Sequence, residues 1–177
     1  MRAAALSLLF TSLLAAGAAQ AAPLSVCSEA SPEGFDVVQY NSLTTTNASA
    51  DVLMNSLVNY DAKAAKLVPG LAQSWSVSPD GLVYEFKLHP GVKFHTTKWF
   101  TPTRNFDADD VLFTFNRMLN PDHPFRKAYP TEFPYFTGMS LDKNIASVEK
   151  TDPMTVVMKL NTVDAAFIQN LAMSFAA

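Results

Sequence analysis

The 177 residues contain a single cysteine, Cys27, so no disulfide can close within the chain. The usual catalytic signatures are also missing. There is no GxSxG, HExxH, CxxC, P-loop or GxGxxG, which removes the readings those patterns license, from a hydrolase nucleophile elbow to a zincin or a dinucleotide fold. Internal repeats, coiled-coil heptads and low-complexity runs are lacking as well. The longest apolar run, Ala3–Ala16, is too short to cross a bilayer.

That run has another reading. Met1 and Arg2 give a short positive start, and Ala19, Gln20 and Ala21 form an A-x-A cleavage site, so residues 1–21 read as a secretory signal peptide and the mature chain starts at Ala22. Cleavage takes Arg2 from the 13 Lys and Arg, leaving 12 against 16 Asp and Glu. A mildly acidic exported protein argues against nucleic acid or an anionic membrane surface as partner.

Export sharpens the question of Cys27, because exported cysteines usually pair. Three roles fit: a lipid-anchored first residue, a buried inert thiol, or one half of a bridge to a cysteine outside this sequence. Val26 speaks against lipidation, which needs a small residue before the cysteine. The far end, DAAFIQNLAMSFAA, has apolar Ala165, Phe167, Ile168, Leu171, Ala172 and Phe175 near helical period and no C-cap, and reads as the interior of a longer protein.

About 155 mature residues are enough to bury close to 70% of their unfolded surface. Leu24, Val26 and Cys27 suggest an opening strand, followed by the turn SPEGFD. The polar stretch Asn41–Ser49 reads as a loop leading into a helix, with Ala50, Leu53, Met54, Leu57 and Val58 on its buried face, Asn47 or Ser49 as cap, and an end near Asn59. In SWSVSPDGLVYEFKLHP, turn chemistry at Ser78–Gly81 precedes an alternation of Tyr84, Phe86 and Leu88 with Glu85 and Lys87, which predicts a hairpin on a half-buried sheet. FDADDVLFTFNRMLNP predicts a helix capped by Asp107, with Val111, Leu112, Phe115, Met118 and Leu119 inside and Pro121 as the stop. A proline-punctuated aromatic loop follows. ASVEKTDPMTVVMKL predicts a second hairpin turning at Thr151–Pro153.

Asp107, Asp109 and Asp110 lack EF-hand spacing and suit a helix start better than a metal. His89, His95 and His123 are spread over turn-like segments and show no ligand pattern. The hydroxyls of Ser42, Thr44–Thr46 and Ser49 offer either cap contacts or ligand contacts, with no obvious base beside them. No metal or cofactor is expected.

The block LVPGLAQSWSVSPDGLVYEFKLHPGVKFH, followed by FDADDVLFTFNRM, resembles the extracytoplasmic solute-binding proteins of the peptide/nickel ABC-transporter family, motif by motif and in the same order. CSEASPEGFD, PTRNFDADDV and LAMSFA are most similar to its dipeptide-binding members. The resemblance covers the whole mature chain. It implies an α/β, two-lobed periplasmic binding protein type II fold, of which residues 22–177 would form an incomplete N-terminal lobe: about 22–50 the start of lobe I, about 51–177 mostly the family's extra subdomain. It also implies a disulfide from Cys27 to a later part of the chain.

By the same resemblance, the complete protein is a monomeric receptor that closes around a di- or oligopeptide and delivers it to an inner-membrane ABC transporter permease. In such binders an Asp and an Arg of the other lobe hold the peptide termini, while the first lobe offers backbone from a loop that maps onto Tyr40, Asn41, Ser42, Leu43 and Thr44. Tyr135 is a further pocket-wall candidate. Leu43 departs from the family, whose dipeptide binders usually have glycine there. Haem or nickel binding by the same fold is the alternative, and an exported hydrolase using the hydroxyl-rich loop is the alternative from another class.

Overall fold

The computed structural model describes residues 25–173 and 176. The expected signal peptide lies outside them. The organising element is a four-stranded antiparallel sheet of order β3-β4-β6-β5, built from β3 (Ala72–Val77), β4 (Val83–Leu88), β5 (Ile145–Asp152) and β6 (Thr155–Leu160). Alternation along β4 does what it predicts: Tyr84, Phe86 and Leu88 are buried while Lys87 is exposed. Register then aligns apolar partners on the same face, Tyr84 opposite Met158 and Phe86 opposite Val156. All four are in the core.

One face of the sheet receives α3 (Ala108–Leu119). Its start is secured as expected. Asp107 accepts from the Asp109 N–H at 2.9 Å, the Asp110 carboxylate accepts from the Asp107 N–H at 3.0 Å, and together they form a reciprocal capping box. The Ala108 N–H donates to the Pro153 carbonyl in the β5–β6 turn, which pins the helix start to the sheet. Val111, Phe115 and Met118 are buried, and the helix ends at Leu119 before Asn120 and Pro121. After it come three short helices in place of the expected loop: α4 (Pro124–Ala128), α5 (Pro134–Gly138) and α6 (Leu141–Asn144). Two of them open on proline, which is pre-set for the first helical position. A further helical turn, α7 (Phe167–Asn170), packs Phe167 on Tyr84 with ring centroids 4.7 Å apart.

Two expectations fail. Ser25–Ser28 form no strand, and Val26 and Cys27 are exposed; a strand exists only through its neighbours, and no described strand pairs with this segment. The helix expected over 50–59 starts earlier and stops sooner. It runs as α1 (Leu43–Thr45), a π-helical turn (Thr46–Ala50) and α2 (Asp51–Leu53), and its cap is Ser42 rather than Asn47 or Ser49. Leu57 and Val58 are buried as the pattern requires, but at the entrance to a hairpin, β1 (Val58–Asp61) with β2 (Lys66–Pro69). Gly70 closes that hairpin onto its own base: its N–H and that of Ala72 both reach the Leu57 carbonyl, at 3.2 and 2.9 Å. A Cβ on Gly70 would collide with the Ser56 carbonyl, so this glycine is required by a backbone-to-backbone approach.

A closed loop presents the candidate ligand residues

Tyr40–Ser42 and the first two residues of α1, Leu43 and Thr44, form the returning limb of a loop whose ends are tied by the Glu33 N–H donating to the buried Thr45 hydroxyl at 2.9 Å. Inside it, the Ser42 hydroxyl accepts from the Thr45 N–H and donates to the Thr45 hydroxyl at 3.0 Å, while the Thr44 hydroxyl donates back to Ser42 at 3.3 Å. The Thr46 hydroxyl donates to the Ser42 carbonyl, and Ser49, fully buried, to the Thr45 carbonyl. The hydroxyl-rich run is thus engaged in capping and closing its own loop. Leu43 points outward, 67% exposed, while Asn41 is exposed and Tyr40, Ser42 and Thr44 are half-buried. Tyr40 lays its ring over Gly34, where a side chain would overlap it.

The loop is also held from below. Val37 and Val38 are buried, and Asp36 receives both terminal nitrogens of Arg117, at 2.6 and 2.7 Å. Neither residue was singled out by sequence reasoning, because a pairing across 81 positions leaves no local pattern. Tyr135 stands on α5, half-buried against the core.

A cavity of about 250 Å³ lies elsewhere, between Leu57, Leu71, Phe94, Phe106, Val111 and Phe115, and neither Tyr40–Thr44 nor Tyr135 lines it. The acidic triplet proves structural. Arg104 grips Asp110 through both terminal nitrogens at 2.7 and 2.8 Å, and Lys150 binds Asp109 at 2.6 Å. Burial alone would raise the Asp110 carboxyl, but the Arg104 bonds, the Asp107 N–H and the Arg104 charge hold it below the ordinary carboxylate value. Among the described residues no group of three or more His, Cys, Asp or Glu could hold a metal. Of the histidines, His123 caps α4 by accepting from the Phe125 N–H at 3.2 Å.

Residues 66–177 match the model of the bacterial extracellular solute-binding proteins, family 5 Middle. The chain belongs to this family. Family-5 relatives extend the match to the N-terminal loop. The chain is 58% identical over 175 residues, 96% of its length, to a protein of Pseudomonas aeruginosa named di/tripeptide-binding protein 1, of which it covers 33%. It is 44% identical over 149 residues, 84% of the chain and 27% of the relative, to haem-binding protein A of Haemophilus influenzae. The fold superimposes on a dipeptide-binding protein of Pseudoalteromonas sp. SM9913, solved in complex with Met-Leu, with TM-score 0.82 and 35% identity over 85% of this chain and 30% of that one. The chain therefore spans about a third of the length of the curated relatives it matches, and its fold is the corresponding part of a periplasmic binding protein of type II. Family 5 is a family of solute-binding proteins, not of enzymes. Among the described residues no helix is long and apolar enough to cross a membrane.

Proposed function

We propose that this chain is part of a periplasmic receptor that binds dipeptides or short peptides and hands them to the permease of an inner-membrane ABC importer. The observation that carries the reading is the 58% identity to a di/tripeptide-binding protein along nearly the whole chain, against 44% to the haem-binding relative. Physical chemistry supports the same reading. Tyr40–Thr44 lie in the returning limb of a loop closed by its own hydrogen bonds, so backbone offered to an extended peptide would be pre-ordered, which lowers the entropy cost of binding. Such a receptor works by closure: ligand shifts the population toward the closed form only through contacts that are better there, so both lobes must touch it.

In this reading residues 1–21 direct export and are removed, and Cys27 bridges to a later cysteine. The exposed Cys27 thiol and the A-x-A site support these two assignments. Haem remains a second reading because of the Haemophilus influenzae relative. A thermal-shift screen of the complete protein against di-, tri- and pentapeptides, haem and Ni²⁺ tests the proposal. Stabilisation by di- or tripeptides alone is the expected outcome, and a shift with haem or Ni²⁺ but none with peptides contradicts it.

A further inference from the structure

Arg117 is an unusual residue to find in the core. It is 8% exposed, its guanidinium carbon lies 5.7 and 5.2 Å from the centroids of Phe113 and Phe125, two rings that also meet each other edge-on, and its Nε has no hydrogen-bond partner. Its two terminal nitrogens go to the Asp36 carboxylate, which also accepts from the Gln39 side chain at 2.5 Å. Arg117 is buried and Asp36 half-buried, and burying one end of an ion pair is a poor source of net stability, because desolvation offsets the attraction. What this pair does supply is a fixed direction. The fork admits one geometry, the two rings pack near the guanidinium, and the carboxylate it orients belongs to a turn, Asp36–Gln39, closed by the Gln39 N–H to the Asp36 carbonyl at 3.0 Å. Tyr40 is the next residue.

We infer that Arg117 is a positioning residue for ligand binding: acting through Asp36, it sets where the Tyr40–Thr44 segment stands relative to α3 and the sheet. The inference rests on the peptide-receptor reading and deepens it. Two anchors then define the loop, the Glu33–Thr45 bond at its neck and the Asp36–Arg117 fork beneath it. The neck closes the loop and the fork aims it.

The test uses the complete protein carrying Asp36→Leu together with Arg117→Met, which removes both charges at once and leaves no buried guanidinium without its carboxylate. Asp36→Asn is a milder second variant in case the pair fails to fold. Amide hydrogen exchange and peptide affinity are measured on the same samples. The expected result is exchange at residues 39–45 faster by about tenfold or more, peptide binding weaker by about tenfold, and unchanged protection in β4 and β6, the last showing that the fold is intact. A purely structural pair would move all protected amides together or none. If the folded variant keeps either wild-type affinity or wild-type exchange at 39–45, the inference is overturned. Should the wild type bind no peptide, the receptor reading fails separately, and the exchange at 39–45 alone decides whether Arg117 aims the loop.

Discussion

Tyr40 covers Gly34 so closely that a Cβ on the glycine would overlap the ring edge, 2.7 Å from Cζ and 2.8 Å from the phenol oxygen. The atoms that would have to yield are at the free end of a side chain, so the ring can move and the fold need not. Gly34→Ala in the complete protein is therefore expected to cost only about 1 kcal/mol of stability, the scale of an off-rotamer side chain, while displacing Tyr40 and weakening peptide binding. Calorimetry in wild-type and Tyr40→Ala backgrounds checks this. The Gly34 effect on affinity should vanish without the ring, and persistence of the full effect would mean that Tyr40 is not its route. Gly70→Ala is the contrasting case. There the obstacle is the Ser56 carbonyl, backbone that cannot swing away, so a loss of about 1–3 kcal/mol in chemical unfolding is expected.

Leu43 is 67% exposed at the start of α1, and the peptide-receptor proposal places it beside the ligand. Replacing it by Gly should strengthen or broaden peptide binding by opening the site, and Leu43→Trp should weaken it. A small peptide panel measured by calorimetry against both variants decides; indifference to both changes would remove Leu43 and its neighbours from the ligand site.

Asp110 provides a pH signature. Its folded carboxyl lies below the ordinary value of 3.8, so the unfolded chain takes up its proton first as pH falls. The stability it contributes is complete above that value and is lost as pH drops through the lower folded one. In urea unfolding, Asp110→Asn should therefore be less stable than wild type at neutral pH, with the gap closing below about pH 4. A gap that stays constant down to acid pH would show that the Arg104 clamp on Asp110 is not its source.

Cys27 is exposed in the described chain. In the complete oxidised protein it is expected to resist alkylation until reduced and unfolded, and the bridge it forms should contribute about 2–4 kcal/mol. Rapid alkylation of the native oxidised protein would refute the bridge, and a diacylglycerol adduct found by intact mass would replace it with a lipid anchor.

What could be read from the sequence follows how local each signal is. The β4 strand and α3 were legible because alternation at Tyr84, Phe86 and Leu88 and the capping residues Asp107 and Asp110 act within a few positions. The same rule misled at Ala50–Val58. Those positions satisfy helical spacing, yet Leu57 and Val58 are buried by the strand that returns to them, a partner the spacing cannot show. The β1–β2 hairpin was missed because its strands have four residues each and its turn, Ala62–Ala65, is alanine and lysine, ordinarily helix formers. Only Asp61 hinted at it, accepting from the Lys63 and Ala64 N–H groups, with Ala65 in the left-handed region at φ 50°. At the candidate site, the loop Tyr40–Thr44 was located through family resemblance, whereas its support by Arg117 required the tertiary fold.

The most direct test of the account titrates the complete protein with a dipeptide and with the same dipeptide acetylated and amidated at its ends. Recognition of free termini predicts binding of the first with a dissociation constant of about a micromolar, near −8 kcal/mol, and little or none of the second. No heat with any free dipeptide, or equal binding of the blocked one, would contradict it.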